Sequence, residues 1–236
     1  MKVALLTAAG QGTRMGQEVP KQFLHIYDKP IIIYTLERFE KNPQIDAIAL
    51  VTLPHWIDFV WSYAKQFRIS KLKWVIEGGN SGQESIHNGL RVLQENCPED
   101  TVVLIHDGNR PMVDNDIISD SLSVYKKYGS AVAAIPCTEA VFKSENGDES
   151  KETIPREMLF RTQTPHTYCL RKAVWGYEQA KEKGITNSTA ICTIMNALGE
   201  DVYFSRGSEK NIKLTTLDDI EIFKALLATE KSGWLR

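Results

Sequence analysis

Leu5-Leu6-Thr7-Ala8-Ala9-Gly10-Gln11-Gly12-Thr13-Arg14-Met15-Gly16, followed by Pro20-Lys21-Gln22-Phe23, decides how this chain is read. An apolar run opening at Val3 enters a glycine-rich turn, and basic residues arrive at Arg14 and Lys21 before the next apolar stretch. A chain builds a phosphate-holding loop at the end of a buried strand in this way. Glycine lets backbone N–H groups approach phosphate oxygens, while Arg14 and Lys21 supply countercharge. A triphosphate is the natural guest.

Two better-known phosphate loops fit less well. The P-loop string Gly-x-x-x-x-Gly-Lys-Ser/Thr is absent. The dinucleotide fingerprint accepts Gly10 and Gly12, but its third glycine position holds Met15, with Gly16 one place late, which disfavours a nicotinamide-dependent reductase. An ordinary strand-to-helix turn also explains a bare Gly-x-Gly, and the downstream Pro20-Lys21-Gln22-Phe23 argues against it.

Outward from the loop, apolar runs at 3–6, 47–52, 73–76, 101–105 and 131–135 alternate with helical patterns near 31–40, 55–66, 83–94 and 115–127. This alternation predicts a mainly parallel sheet covered on both faces, an α/β three-layer sandwich. Sites on such sheets lie at the carboxyl ends of strands. The Gly10 loop, Gly78-Gly79 and Asp107 each follow an apolar run and are expected on one edge. The rhythm breaks at about 138–161, where Ser144-Glu145-Asn146-Gly147-Asp148-Glu149 reads as the tip of a projecting hairpin or a surface loop. A last helix is expected over about 217–228, capped by Thr216 with Asp219.

With 236 residues, 42% of them apolar, the chain can bury one core, so a single domain spanning 1–236 is expected. The net charge of −2, without a basic cluster, argues against nucleic acid or an anionic membrane as partner. No apolar run reaches membrane-spanning length and the first residues show no signal-peptide pattern, which points to the cytoplasm. Cys97, Cys137, Cys169 and Cys192 form no Cys-x-x-Cys pair, and the five histidines show no zinc spacing.

The Ala-Ala-Gly-Gln-Gly-Thr-Arg-Met string with Pro-Lys-Gln-Phe resembles the signature loop of the cytidylyltransferases that make CDP-methylerythritol or CDP-ribitol. Three further matches follow in order: Gly78-Gly79 with Ser85, His106-Asp107-Gly108-Asn109-Arg110-Pro111, and Asn211-Ile212-Lys213-Leu214-Thr215-Thr216. The resemblance spans residues 3 to about 227 and implies a Rossmann-like fold, Mg²⁺ as cofactor, CTP as substrate, and a homodimer in which the arm reaches the neighbouring subunit. It implies Arg14, Lys21 and Lys213 as catalytic cations and a nucleotide site at Ala8, Ala9, Gly10, Gly12, Gly78, Gly79 and Ser85, with cytosine read near Ala8, Ala9, Gly78, Gly79 and Ser85. Arg156 would meet the acceptor phosphate from the arm.

Asp107 ends its apolar run and suits a lone carboxylate holding Mg²⁺, with a turn-forming aspartate as the plainer reading. Arg110 is read as an acceptor ligand or, equally, as an internal salt-bridge partner. Lys213 is placed on a short strand, sharing a face with Asn211.

Three departures from the family pattern fall near the acceptor: Gly82 where an arginine is expected, Glu139-Ala140 for Asp-Thr, and Thr189-Ala190 for Thr-Asp. They favour transfer of CMP to a polyol phosphate of the ribitol kind, feeding a surface or teichoic-type polymer, over methylerythritol phosphate. A non-catalytic nucleotide binder is the remaining reading.

Overall fold

Both faces of strand β1 (Lys2–Ala8) are covered, which is why it reads as an unbroken apolar run rather than an alternation. Ala4 and Leu6 point into one layer with Ile32, Ile33, Leu36 and Phe39 of helix α1 (Ile31–Lys41). Val3 and Leu5 point into the other with Leu90 and Leu93. The computed structural model describes residues 1–10, 19–186, 188 and 190–232, with backbone alone at 231 and 232.

After α1 come β4 (Ala47–Thr52), α2 (Ile57–Gln66), β5 (Leu72–Glu77), α3 (Gly82–Asn96), β6 (Val102–Asp107), α4 (Asn115–Tyr128) and β7 (Ser130–Pro136). A small ribbon, β2 (His25–Ile26) with β3 (Lys29–Pro30), precedes α1. These elements follow the alternation read from sequence. Beyond residue 160 the structure adds β10 (Phe160–Cys169), α5 (Leu170–Glu182), α6 (Ile191–Ala197) and β11 (Phe204–Arg206), before α7 (Leu217–Ser232). No helix among the described residues is long and apolar enough to cross a membrane.

The seven-stranded sheet has the order β11-β7-β10-β6-β1-β4-β5. Every neighbouring pair is parallel except those made by β10, which runs against β6 and β7. The chain winds outward from β1 through β4 to β5, then crosses back to place β6 on the other side of β1. That reversal opens a crevice at the carboxyl ends of β1 and β6, where open α/β sheets bind ligands.

Between β7 and β10, β8 (Val141–Lys143) and β9 (Glu152–Ile154) pair antiparallel as a separate two-stranded sheet. Its turn passes through Gly147 at φ +84°, a left-handed conformation in which glycine costs little. Helix α7 begins with the expected cap. The Asp219 N–H donates to Thr216 Oγ1 at 3.3 Å, and Asp219 Oδ2 accepts from the Thr216 N–H at 2.7 Å.

One expectation fails. Residues 211–215 are not a strand. The Leu214 N–H donates to the Asn109 carbonyl at 2.9 Å, and Asn109 Nδ2 donates to the Leu214 carbonyl at 2.6 Å. A clamp from the β6–α4 loop thus takes the hydrogen bonds a ladder would have used.

Candidate active site

Four strand ends converge around a cavity of about 780 Å³. Ala8, Ala9 and Gly10 follow β1, Leu53 and Pro54 follow β4, Gly78 and Gly79 follow β5, and Asp107 closes β6. Lys21, Ser85 and Lys213 also line it. Nine residues singled out from sequence therefore meet in one place, though far apart along the chain. Gly12 and Arg14 lie outside the described residues. Arg110 lines an adjoining cleft of about 180 Å³ instead, and Arg156 lines neither cavity.

The Gly10 loop is tied at its root by a residue that sequence reasoning quoted without a role. Gln22 is 2% exposed, and its Nε2 donates to the Ala8 carbonyl at 2.6 Å and the Gly10 carbonyl at 3.0 Å. Phe23, stacked on Trp56 with ring centroids 4.0 Å apart, seats the same short turn, leaving Lys21 on the cavity wall. The Pro-Lys-Gln-Phe spacing is thus a buried anchor adjoining a cavity-facing cation.

On the opposite wall, the Gly78 N–H donates to the Thr52 carbonyl at 2.8 Å. A Cβ at Gly78 would collide with Ala9 Cβ and lie 3.1 Å from Ser85 Oγ, so only glycine lets the two strand ends approach. Ser85 Oγ accepts from the Gly79 N–H at 3.0 Å and donates to the Ser81 carbonyl at 2.8 Å, so this hydroxyl shapes the glycine turn. Gly82 opens α3 with nothing within 4 Å of where its Cβ would stand, leaving space where the family pattern has an arginine.

Asp107 forms the floor between the two cavities. Lys213 Nζ lies 2.9 Å from Oδ1 and Arg110 Nε 2.9 Å from Oδ2. Burial pushes its carboxyl upward, but the Lys213 and Arg110 charges and their hydrogen bonds outweigh this and hold it well below the usual carboxylate range. Arg110 also donates through Nη1 to the Asn211 carbonyl at 2.7 Å, so it braces the Lys213 segment as well as lining the smaller cleft.

Beneath the carboxylate, His106 is fully buried and bonded through both ring nitrogens, to the Arg110 carbonyl at 3.1 Å and Thr164 Oγ1 at 3.0 Å. A carbonyl can only accept, so His106 Nε2 carries the proton and Nδ1 takes one from Thr164. Thr164 Oγ1 in turn accepts from the Asp107 N–H at 3.0 Å. Burial lowers the His106 pKa to about 4, keeping the ring neutral. These supports come from residues distant in sequence, and only the His106-Asp107 adjacency hinted at them.

Among the described residues no three His, Cys, Asp or Glu side chains converge as a metal site. An ionised carboxylate lining the larger cavity is nevertheless the kind of ligand Mg²⁺ takes when phosphate oxygens and water fill the rest of its octahedron, so Asp107 fits that ion where Lys213 yields Oδ1 to it.

Comparison with known proteins agrees with this geometry. The chain is 43% identical over 229 residues to a ribitol-5-phosphate cytidylyltransferase of Lacticaseibacillus paracasei, covering 96% of this chain and 98% of the relative. It is 36% identical over 229 residues to a 2-C-methyl-D-erythritol 4-phosphate cytidylyltransferase of Clostridium acetobutylicum, covering 96% and 97%. In fold it matches the crystal structure of 4-diphosphocytidyl-2C-methyl-D-erythritol synthase from Anaerococcus prevotii, with TM-score 0.82, 23% identity and 96% of each chain covered. Residues 2–229 match the family described as IspD: 2-C-methyl-D-erythritol 4-phosphate cytidylyltransferase, and this chain, a nucleotidyltransferase, belongs to it.

Proposed function

We propose that this protein transfers CMP from CTP to ribitol 5-phosphate, releasing pyrophosphate and forming CDP-ribitol. One observation carries the reading: Thr7, Ile86, Asp107 and Lys213 line both cavities. A nucleotide in the larger cavity and an alcohol phosphate in the smaller would meet at the Asp107–Lys213 pair. The greater identity to the ribitol-named relative, 43% against 36%, supports ribitol over methylerythritol phosphate.

In this reaction an acceptor phosphate oxygen attacks the α-phosphorus of CTP. The bond to the β-phosphate bridging oxygen breaks, and its electron pair leaves with pyrophosphate. A phosphate monoester with a second pKa of about 6 is mostly dianionic at neutral pH, so no strong general base is required. The protein's task is to hold two polyanions together and stabilise developing charge. Lys21 and Lys213 face the nucleotide cavity, and Arg14 is assigned to the same task from the loop motif. A divalent cation held by Asp107 would neutralise triphosphate charge when bound.

Arg156 reaches the acceptor in this reading only from a second copy. It is exposed, donating through Nη1 to the Thr138 carbonyl at 2.8 Å, and the nearby Phe142, Met158 and Phe160 side chains lie open to solvent. Mixing Arg156→Ala with Lys213→Ala, each nearly inactive alone, should restore about a quarter of native activity if subunits share sites.

The decisive assay is pyrophosphate release with CTP, Mg²⁺ and ribitol, arabinitol, glycerol or methylerythritol phosphate, with ATP, GTP and UTP as controls. Turnover of ribitol 5-phosphate with CTP alone supports the proposal. Preference for methylerythritol phosphate replaces it.

A further inference from the structure

His166 lies on β10 at the floor of the 180 Å³ cleft, 3% exposed, and its Nε2 is buried without a hydrogen-bond partner. An unpartnered buried polar atom is destabilising, so its retention against a cleft calls for an occupant. The other buried polar side chains lining this cleft are committed. Thr164 and His106 bond to each other and to the Asp107 loop. Gln163 is held through Nε2 by the Ser208 carbonyl at 2.8 Å and through Oε1 by the Ser208 N–H at 3.1 Å. Ala190, which also lines the cleft, offers no polar side chain where the family pattern has an aspartate.

We propose that His166 reads a hydroxyl of the acceptor and sets which polyol phosphate the cleft prefers. The cationic groups of the cleft, Arg110 and Lys213, which flank the Asp107 carboxylate, suit the acceptor's phosphate, leaving His166 for the uncharged part of the molecule. Burial lowers its pKa to about 4, the Asp107 charge and the Gln163 backbone pulling more weakly the other way. The ring therefore stays neutral at physiological pH, with one donor and one acceptor nitrogen, a match for a hydroxyl in either tautomer. The inference rests on the acceptor reading given above.

The test compares native protein, His166→Gln and His166→Leu with ribitol 5-phosphate and with glycerol 3-phosphate, which has fewer hydroxyls. The leucine variant should raise the KM for ribitol 5-phosphate roughly tenfold. It should leave the KM for CTP within about twofold and narrow the preference for ribitol over glycerol phosphate. Glutamine should recover much of that preference. An unchanged preference in both variants, or equal losses for CTP and for both acceptors, overturns the role of His166 alone. No turnover of any polyol phosphate by the native protein overturns the acceptor reading and this assignment with it. If the leucine variant does not fold, His166→Met, likewise apolar and without a hydrogen-bonding nitrogen, supplies the same comparison.

Discussion

Replacing Gln22 with methionine keeps side-chain length and removes the two donors that tie the root of the Gly10 loop. The Ala8 carbonyl then loses a 2.6 Å partner in a buried setting, while the Gly10 carbonyl, on an exposed residue, can recover water. A buried acceptor left unsatisfied costs about 1–3 kcal/mol and a partly solvated one less, giving a total of about 2 kcal/mol. For a chain of 236 residues that corresponds to a fall in Tm of roughly 4–8 °C. Because the freed carbonyls border the nucleotide cavity, the KM for CTP should rise while that for the acceptor holds. Differential scanning calorimetry and CTP-dependent pyrophosphate release read the two effects separately. Glutamate at this position should be worse than methionine, since its carboxylate would face two carbonyl oxygens. A Tm loss with unchanged CTP kinetics would sink the link between this anchor and the nucleotide loop, and no Tm change would refute the hydrogen-bond reasoning itself.

Lys213→Ala should lower kcat by about 10²-fold or more, yet change stability by under about 1 kcal/mol because the lysine is half exposed. A large Tm loss would mean that the lysine is a structural pin. Asp107 has a folded-state pKa below its ordinary 3.8, so its ion pairs stabilise the protein above that value and the contribution fades as pH falls through the folded value. Asp107→Asn should therefore melt below the native protein at pH 7, with the gap narrowing below pH 4. A gap that widens on acidification contradicts the sign. Gly78→Ala should raise the KM for CTP about tenfold or more and cost about 1–3 kcal/mol of stability by driving Ala9 from the cavity rim; calorimetry and nucleotide titration check both.

The inner strands were legible because burial on both faces forces continuous apolar runs, as in Ala47-Ile48-Ala49-Leu50-Val51-Thr52, and the helices between them keep an apolar stripe. The convergence of Gly10, Gly78 and Asp107 followed from a general property of parallel sheets and needed no side-chain detail. What escaped the sequence was support arriving from far along the chain. Asn211 looked like a strand residue, yet it is fully buried and donates to the Thr164 carbonyl at 2.9 Å, a partner 47 residues away. Gln22, Asn109 and Thr164 are polar residues whose roles depend on which distant carbonyl or ring they meet, and no local periodicity encodes that. The antiparallel course of β10 was equally hidden, because strand direction is decided by how the chain returns to the sheet.

Asp107 and Lys213 stand 106 residues apart in sequence, and the Asn109–Leu214 clamp joins positions separated by 105. A chain emerging from the ribosome presents the carboxylate and its Arg110 partner long before the lysine is made. The nucleotide-facing glycine turns, Lys21 and Arg110 can be in place while Asp107 still lacks its lysine, so on the proposed mechanism the young protein has no partly competent stage. On the proposed mechanism, turnover begins only when the last third of the chain docks against strand ends laid down in its first half.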